Sequence, residues 1–375
     1  MATITAVTTK NEFKEFIDFP YDLYKGDPNF TPELFIAQRD LLKETHPFYR
    51  HSKLTCFIAK DGSKVVGRIA AIKNGNHIKF TGRNEGFFGF FDVINDYSVA
   101  KQLLDTAKQW IKKENLIAML GPANPSTNET CGVLVKGFEV PSPVMLTYNK
   151  QYYPEFLEKY GLVKKMDLYA YTMLGKEVPT RISEASVALE DRLKKRGIVV
   201  RKLEMKNFKE EAKKVMEVYN KAWDKNWGFV PMTDDEFRYM AKDLKMILDP
   251  DLAFVAEHNG TPIGFSLSLP DINFILRKIP RGRLLPTGIF KLLFLKSKIK
   301  NIRIITLGIV EEYRRHGIEA IFYARTLENG LKKGYETADA SWILENNLQM
   351  NRGLESLGAH IYKTFRIYEM PLNGK

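Results

Sequence analysis

The chain has 375 residues, 44% of them apolar, which is enough for two or three domains with cores of their own. Its 57 Lys and Arg against 45 Asp and Glu leave a formal charge of +12, favouring anionic partners as a class: nucleic acid, acidic membrane surface, or phosphorylated cofactors and substrates. Two cysteines, Cys56 and Cys131, and six scattered histidines show no metal-type spacing and no disulfide framework, so neither a zinc site nor a disulfide-stapled fold is expected.

The opening MATITAVTTKNEFKEF is polar and lacks the basic-then-apolar layout of a signal peptide. The longest apolar runs, such as Gly86–Phe91, are too short to span a bilayer, and a soluble cytoplasmic protein is expected. The first strong element signal is FIAKDGSKVVGRIAA (Phe57–Ala71), which reads as strand, Asp61-Gly62 turn, strand. FFDVINDYSVAKQLLDTAKQWI (Phe90–Ile111) then runs from strand into helix, with Asp92 and Asp96 at the joint and no glycine there. The strand LIAML leads into a loop, Gly121–Glu139, rich in turn formers. Its Asn124, Ser126, Thr127 and Asn128 either line a substrate cleft or belong to a compact surface loop. EKYGLVKKMDLYAY (Glu158–Tyr171) follows as a closing element.

Pro179 precedes a helical pattern with apolar Ile182, Val187, Leu189 and Leu193, and Gly197 stands where a C-cap ends it. The strand IVVRKLE (Ile198–Glu204) opens the second half, where Trp223, Trp227 and Phe229 read as core aromatics or as the border of a cleft. FVAEHNGTPIGFSLS (Phe254–Ser268) is a second hairpin with its turn at Asn259-Gly260. A basic apolar segment follows, Ile272–Arg303; between Ile272 and Val310 stand nine Lys or Arg and no Asp or Glu. The pattern then predicts a strand over Ile302–Val310, a helix over Gly317–Lys333, a strand over Glu336–Glu345, a short helix around Gln349–Leu357 and a last strand over His360–Leu372.

The two hairpins match each other. Phe57 falls on Phe254, Ala59 on Ala256 and Gly67 on Gly264, each pair 197 residues apart. The same offset places Gly161 on Gly358 and Tyr171 on Tyr368 in the closing elements. One hairpin match is weak; hairpin and closing element at one offset point to a tandem duplication.

With these elements in place, the pattern resembles the GCN5-related N-acetyltransferase (GNAT) superfamily, present twice. In that family a strand runs into a Q/R-x-x-G-x-G/A turn that opens a helix, and the turn's backbone N–H groups bind the coenzyme A pyrophosphate. Here VEEYRRHGIE supplies Val310, Arg314, Arg315, His316, Gly317 and Ile318 at that turn, with Glu319 where a second small residue is expected. The family's later N-x-x-A-x-x-L-Y-x-K-x-G-F element is matched by NLQMNRGLESLGA at Asn347 and Gly358, but the tyrosine that protonates the departing thiolate in many relatives is Leu354. Tyr323 and Tyr362 are the nearest replacements, with Tyr323 also at the cofactor side. Glu345 ends the strand where family bases and substrate contacts occur, and Asn347 serves substrate or caps the next helix.

The resemblance implies an α+β fold of two tandem GNAT-like domains, each a mixed, mostly antiparallel sheet flanked by helices. Expected divisions are an N-terminal domain at 1–178 with a degenerate cofactor site, a linker helix at 179–197, and a C-terminal domain at 198–375. It also implies an acyltransferase moving an acyl group, most simply acetyl, from acetyl-CoA or another acyl-CoA to a small-molecule or peptide amine without a metal. Glu345, Asn347 and Tyr362 are the candidate catalytic residues. Two other readings stand beside it: a non-catalytic ligand-binding or regulatory protein, favoured by Glu319 and Leu354, and a membrane-surface acyltransferase using longer acyl-CoA, favoured by peripheral membrane contact through 272–303. Nucleic acid ranks below these, since no RNP, KH or zinc motif accompanies the charge.

Overall fold

The computed structural model describes residues 2–178, 180–223 and 226–372, so Pro179 lies outside the described residues. In chain order the strands are β1 (Thr3–Ala6), β2 (Lys53–Asp61), β3 (Lys64–Lys73), β4 (Glu85–Val93), β5 (Ala118–Gly121), β6 (Ala123–Asn124), β7 (Thr130–Cys131) and β8 (Val133–Lys136). They continue with β9 (Val163–Leu174), β10 (Ile198–Lys202), β11 (Ala253–His258), β12 (Thr261–Pro270), β13 (Asn301–Ile309), β14 (Thr337–Leu344) and β15 (His360–Pro371). The chain divides into two compact units: Met1–Leu168 with Asn273–Lys296 and Lys363–Lys375, and Tyr169–Ile272 with Ser297–Tyr362.

In the first unit the order is β1-β2-β3-β4-β5 followed by the C-terminal part of β15. All pairs are antiparallel except β4 with β5, which run parallel from Glu85↔Ala118 to Phe87↔Leu120. A parallel pair needs a crossover, and the helix Tyr97–Lys113 supplies it. Asp96 caps that helix by accepting from the Ser98 N–H at 2.7 Å. Its Val99, Ala100, Leu103, Leu104, Ala107 and Ile111 recur at helical spacing and are buried in the unit's core against Ile69, Phe88 and Phe91. Each fully buried Leu or Ile in such a stripe stabilises the fold by roughly 1.5–3 kcal/mol.

Beyond Phe87, β4 and β5 part, and the chain's own loop fills the gap. Asn124 Oδ1 accepts from the Phe90 N–H at 2.6 Å, and its Nδ2 donates to Thr130 Oγ1 at 3.2 Å. A Cβ at Gly89 would lie 1.8 Å from the carbonyl oxygen of Ala123. Gly89→Ala should therefore cost about 1–3 kcal/mol of stability, read as a lower denaturant midpoint at unchanged slope, because backbone rather than a flexible side chain must move. Asp92 is not turned toward a ligand: it is buried and bonded to Arg68 Nε at 2.8 Å and to the Tyr24 hydroxyl at 3.0 Å. Cys56 and Cys131 are free and buried, and burial pushes the Cys56 thiol up to about 12, which leaves it unreactive.

The second unit repeats the plan. Its order is β10-β11-β12-β13-β14 and then the C-terminal part of β9, antiparallel from β10 to β13 and parallel between β13 and β14. The helix Ile318–Lys332 makes the crossover, burying Ile318, Ile321 and Phe322 against Phe254, Ala256 and Phe265. The helix Thr180–Lys194 lies alongside, with Glu190 paired to Arg325. Trp223 packs on Gly308, where a Cβ would come within 2.3 Å of the indole, and on Phe265, and Phe229 is buried, so these two aromatics are core.

The units differ from the expected divisions at 178 and 198 in two ways. Each closing strand is shared: Tyr368 of β15, with Leu372 just past its end, belongs to the first unit's core, whereas Tyr171 and Met173 of β9 cluster with Ile304, Ala340 and Leu354 of the second. The segment Asn273–Lys296, from the second half of the sequence, belongs to the first unit. Asn273 Nδ2 donates to Ser142 O at 2.9 Å, Arg283 pairs with Asp18 at 2.9 Å, and Arg281 bonds Asp22. These contacts, of which the Asn273 bond is buried, tie the segment to residues far away in sequence.

Candidate active site

The site is built where β13 and β14 part. They pair only from Asn301↔Thr337 to Ile304↔Ala340. Against β12, the register steps from Ser268↔Ile304 to Leu267↔Thr306, so Ile305 is an extra residue on β13, a bulge that bends the strand. The Val310 N–H bonds to Ile263 O at 2.9 Å. Hydrogen-bonded pairs alternate along an antiparallel ladder, so Gly308 and Thr306 also face β12, while the N–H groups of Leu307 and Ile309 face the opening. The buried hydroxyls of Ser268 and Thr306, beside the bulge, have no hydrogen-bond partner among the described residues. An unmet buried hydroxyl costs about 1–3 kcal/mol, so both keep hydrogen-bonding capacity to offer.

The turn after β13 is the second component. Arg315 has φ 70° and Gly317 has φ 82°, and the helix begins at Ile318. The Tyr313 N–H bonds to Val310 O at 3.0 Å and the Arg314 N–H to Glu311 O at 3.2 Å. The next five N–H groups, Arg315 to Glu319, meet no acceptor among the described residues. Five consecutive donors at the positive end of a 15-residue helix are a donor set that suits an anion. Gly317 serves the turn and its packing, since a Cβ there would lie 2.6 Å from Leu189. Arg314 braces the turn: Nε donates to Ile309 O at 3.2 Å and Nη2 to Ala222 O at 2.6 Å. His316 Nδ1 lies 3.1 Å from Tyr313 O, and Arg315 is exposed.

The third component is a buried polar cluster on the strands at the opening. Arg303 and Asp339 are register partners on β13 and β14, exposed by only 3% and 1%. Arg303 Nε stands 3.6 Å from Asp339 Oδ1 and donates to Ser341 Oγ at 3.1 Å, while Nη2 donates to Ser341 O at 3.0 Å. The Ser341 hydroxyl donates to Asp339 Oδ1, and the Tyr362 hydroxyl donates to Asp339 Oδ2 at 2.8 Å. Burial pushes the Asp339 carboxyl up to about 6, against the opposing pull of Arg303 and the two hydroxyls. Burial, then the Asp339 charge, drives the Tyr362 phenol far upward.

The structure thus gathers part of the expected set. Tyr362 joins the cluster, and Asp339 and Ser341, two residues apart on β14, share one side of the strand. Glu345 does not continue it, because β14 ends at Leu344; the Glu345 carbonyl accepts from Asn351 at 3.4 Å. Asn347 caps the helix Leu348–Ser356, accepting from the Met350 N–H at 3.2 Å. Val310 has its N–H committed to the sheet. Tyr323 places its hydroxyl 3.1 Å from Met350 Sδ, with its phenol raised by burial and then by the Glu319 charge. Leu354 is fully buried. Arg303 and Asp339 were missed as site residues; their signal was two charges of opposite sign in strands otherwise too apolar to be solvated. No cluster of three or more His, Cys, Asp or Glu fit to hold a metal occurs among the described residues, and no helix there is long and apolar enough to cross a membrane.

No protein-family model matches the chain. Two curated relatives align along nearly all of it. Protein YghO of Escherichia coli K12 is 34% identical over 366 residues, covering 96% of this chain and 93% of that protein. Bacterial ceramide synthase of Caulobacter vibrioides is 33% identical over 378 residues, covering 99% and 97%. Among solved structures, a tandem GNAT protein from the clavulanic acid biosynthesis pathway aligns over 100% of both chains with a TM-score of 0.58 at 12% identity. The chain is a tandem GNAT-fold protein. It belongs to the family of the two relatives. A GCN5-related N-acetyltransferase from Anabaena variabilis shares the GNAT fold over 99% of this chain and 73% of its own, with a TM-score of 0.53 at 10% identity.

Proposed function

We propose that this GNAT protein is an acyl-CoA-dependent N-acyltransferase whose chemistry lies in the second unit. The observation that carries the reading is the run of five uncommitted N–H groups, Arg315 to Glu319, directly after a strand that has left its parallel neighbour. Acyl-CoA supplies the activated thioester. The run of N–H groups suits its diphosphate, and the outward N–H groups of Leu307 and Ile309 suit the amides of its pantetheine arm. The likeness to a ceramide synthase favours a long-chain amino alcohol as acceptor, with an amide as product. In the first unit the matching opening is filled by Ala123 and Asn124 and the helix start is capped by Asp96, so that unit is proposed not to bind CoA in this manner.

During transfer the amine nitrogen forms the new C–N bond, the C–S bond breaks, and a proton must leave nitrogen. Tyr362 is the partly exposed member of the cluster and hands a proton to Asp339 as its oxygen accepts one from the amine. Positioning of amine and thioester supplies much of the remaining rate.

The test is release of free CoA thiol with palmitoyl-CoA or acetyl-CoA, each with and without sphinganine. Acceptor-dependent release with the long-chain donor is expected; release with acetyl-CoA alone as donor would favour the shorter acyl group. A failure of CoA to bind at all would overturn the reading and leave a non-catalytic use of the fold, for which Leu354 and Glu319 speak. Because Asp339 must be ionised to accept the proton, the maximal rate should fall about tenfold per pH unit below about 6. Asp339→Asn should lower the rate about 10²–10⁴-fold and abolish that limb. An unchanged profile in the variant would remove Asp339 from the mechanism.

A further inference from the structure

Five of the seventeen exposed large apolar side chains among the described residues fall within ten positions: Leu285 (76%), Ile289, Phe290, Leu293 (68%) and Phe294 (74%). Four of them lie on the short helix Gly288–Phe294 at spacings of one and four, which sets them side by side on one face. The base of this projection is firmly held within the first unit. Gly288 is buried, with its backbone so close to that of Arg283 that a Cβ would lie 2.7 Å from the Arg283 oxygen. Arg281 and Arg283 are tied to Asp22 and Asp18, and Lys291 Nζ bonds to Lys278 O. The apolar tip is therefore presented by a rigid mount.

The surroundings select the occupant. Lys278 and Lys296 are exposed beside the patch, and no Asp or Glu occurs anywhere from Ile272 to Val310. Five such side chains offer on the order of 500 Å², short of the ~800 Å² per partner that a stable dimer buries. Bulky aromatic and aliphatic groups at the tip with lysines behind them match the interfacial zone of a bilayer, where the apolar groups enter the acyl boundary and the lysines meet anionic headgroups. We infer that the helix Gly288–Phe294, with Leu285, docks the protein onto the surface of an anionic lipid bilayer. Where the acceptor is a long-chain amino alcohol, as the proposed function has it, such a mount gives the chain a fixed orientation toward it.

The test is flotation of the full-length protein with vesicles of phosphatidylcholine alone or mixed with phosphatidylglycerol, a readout that needs no enzymatic activity. Binding to the phosphatidylglycerol vesicles at low salt is expected, weakened by salt and by omission of the anionic lipid. Leu293→Ser/Phe294→Ser should lower the partition coefficient at least tenfold at an unchanged melting temperature, since both side chains are solvent-exposed. Absence of wild-type binding, or equal binding by the double variant, would overturn the inference. So would a dimer in solution that the same substitutions convert to monomer without any vesicle binding, which would assign the patch to a second copy of the chain.

Discussion

An Arg303→Leu variant should lose about 3–5 kcal/mol of unfolding free energy at pH 8, a large share of the roughly 5–15 kcal/mol by which native proteins are stable. The guanidinium is 3% exposed and has three tasks: it faces the Asp339 carboxylate at 3.6 Å, donates twice to Ser341, and lies 5.3 Å from the centre of the Trp342 ring. Leucine fills much of the space but leaves a carboxylate with no counter-charge. The loss should be pH-dependent. Asp339 already has its folded value raised to about 6, above the ordinary carboxyl range, so its contribution to stability is full below about pH 4 and is lost as pH rises through 6. Without Arg303 that value rises further, and the variant should recover stability in acid. Arg303→Leu/Asp339→Asn should regain most of the deficit at pH 8, because the buried charge is gone. Urea titrations of the three proteins at pH 5 and pH 8 read this directly; an Arg303→Leu deficit independent of pH would show that packing, not charge, is what the arginine supplies.

Arg315→Glu should weaken CoA binding by roughly tenfold or more, with little change in the melting temperature. The side chain is exposed, so the fold does not depend on it, yet its residue opens the run of five free N–H groups at the helix start. A carboxylate there repels the diphosphate and competes for the same donors. Calorimetric titration of CoA at low and moderate salt measures the effect, and the difference between proteins should shrink as salt rises. Gly317 is a poorer test position, because any side chain there meets Leu189 and strains a turn at φ 82°. Equal affinity in wild type and Arg315→Glu would move the anion site away from this turn.

Much of the architecture was legible beforehand. The hairpins appear where turn residues interrupt apolar alternation, at Lys53–Lys73 and Ala253–Pro270, and the predicted helix at Gly317–Lys333 lies within a residue of the observed Ile318–Lys332. These are local signals, set by backbone preferences and by which face of an element must be buried. The strand–turn–helix sequence at Gly317 was legible for the same reason: a strand, a glycine with positive φ and a helix start are consecutive in the chain. The buried polar cluster was not, apart from Tyr362. Arg303, Asp339 and Tyr362 come from three strands, and only strand register sets Arg303 opposite Asp339. Asn347 and Glu345 looked functional because they follow a strand, but one caps a helix and the other stands past the strand's end.

By itself, the amino-acid order determined two repeats of one α+β plan, mostly antiparallel strands flanked by helices, and a strand, glycine turn and helix start in succession in the second. Tertiary structure alone decided which unit each closing strand completes. Tyr171 and Tyr368 occupy equivalent places 197 residues apart, so either strand presents nearly the same buried tyrosine to either core, and local pattern cannot choose between them. It also decided that the first unit's opening is filled by Asn124 while the second's stays lined with unmet donors. That choice depends on a loop's hydrogen bonds to a strand 34 residues away, and such long-range satisfaction of backbone groups leaves no periodic trace in a sequence.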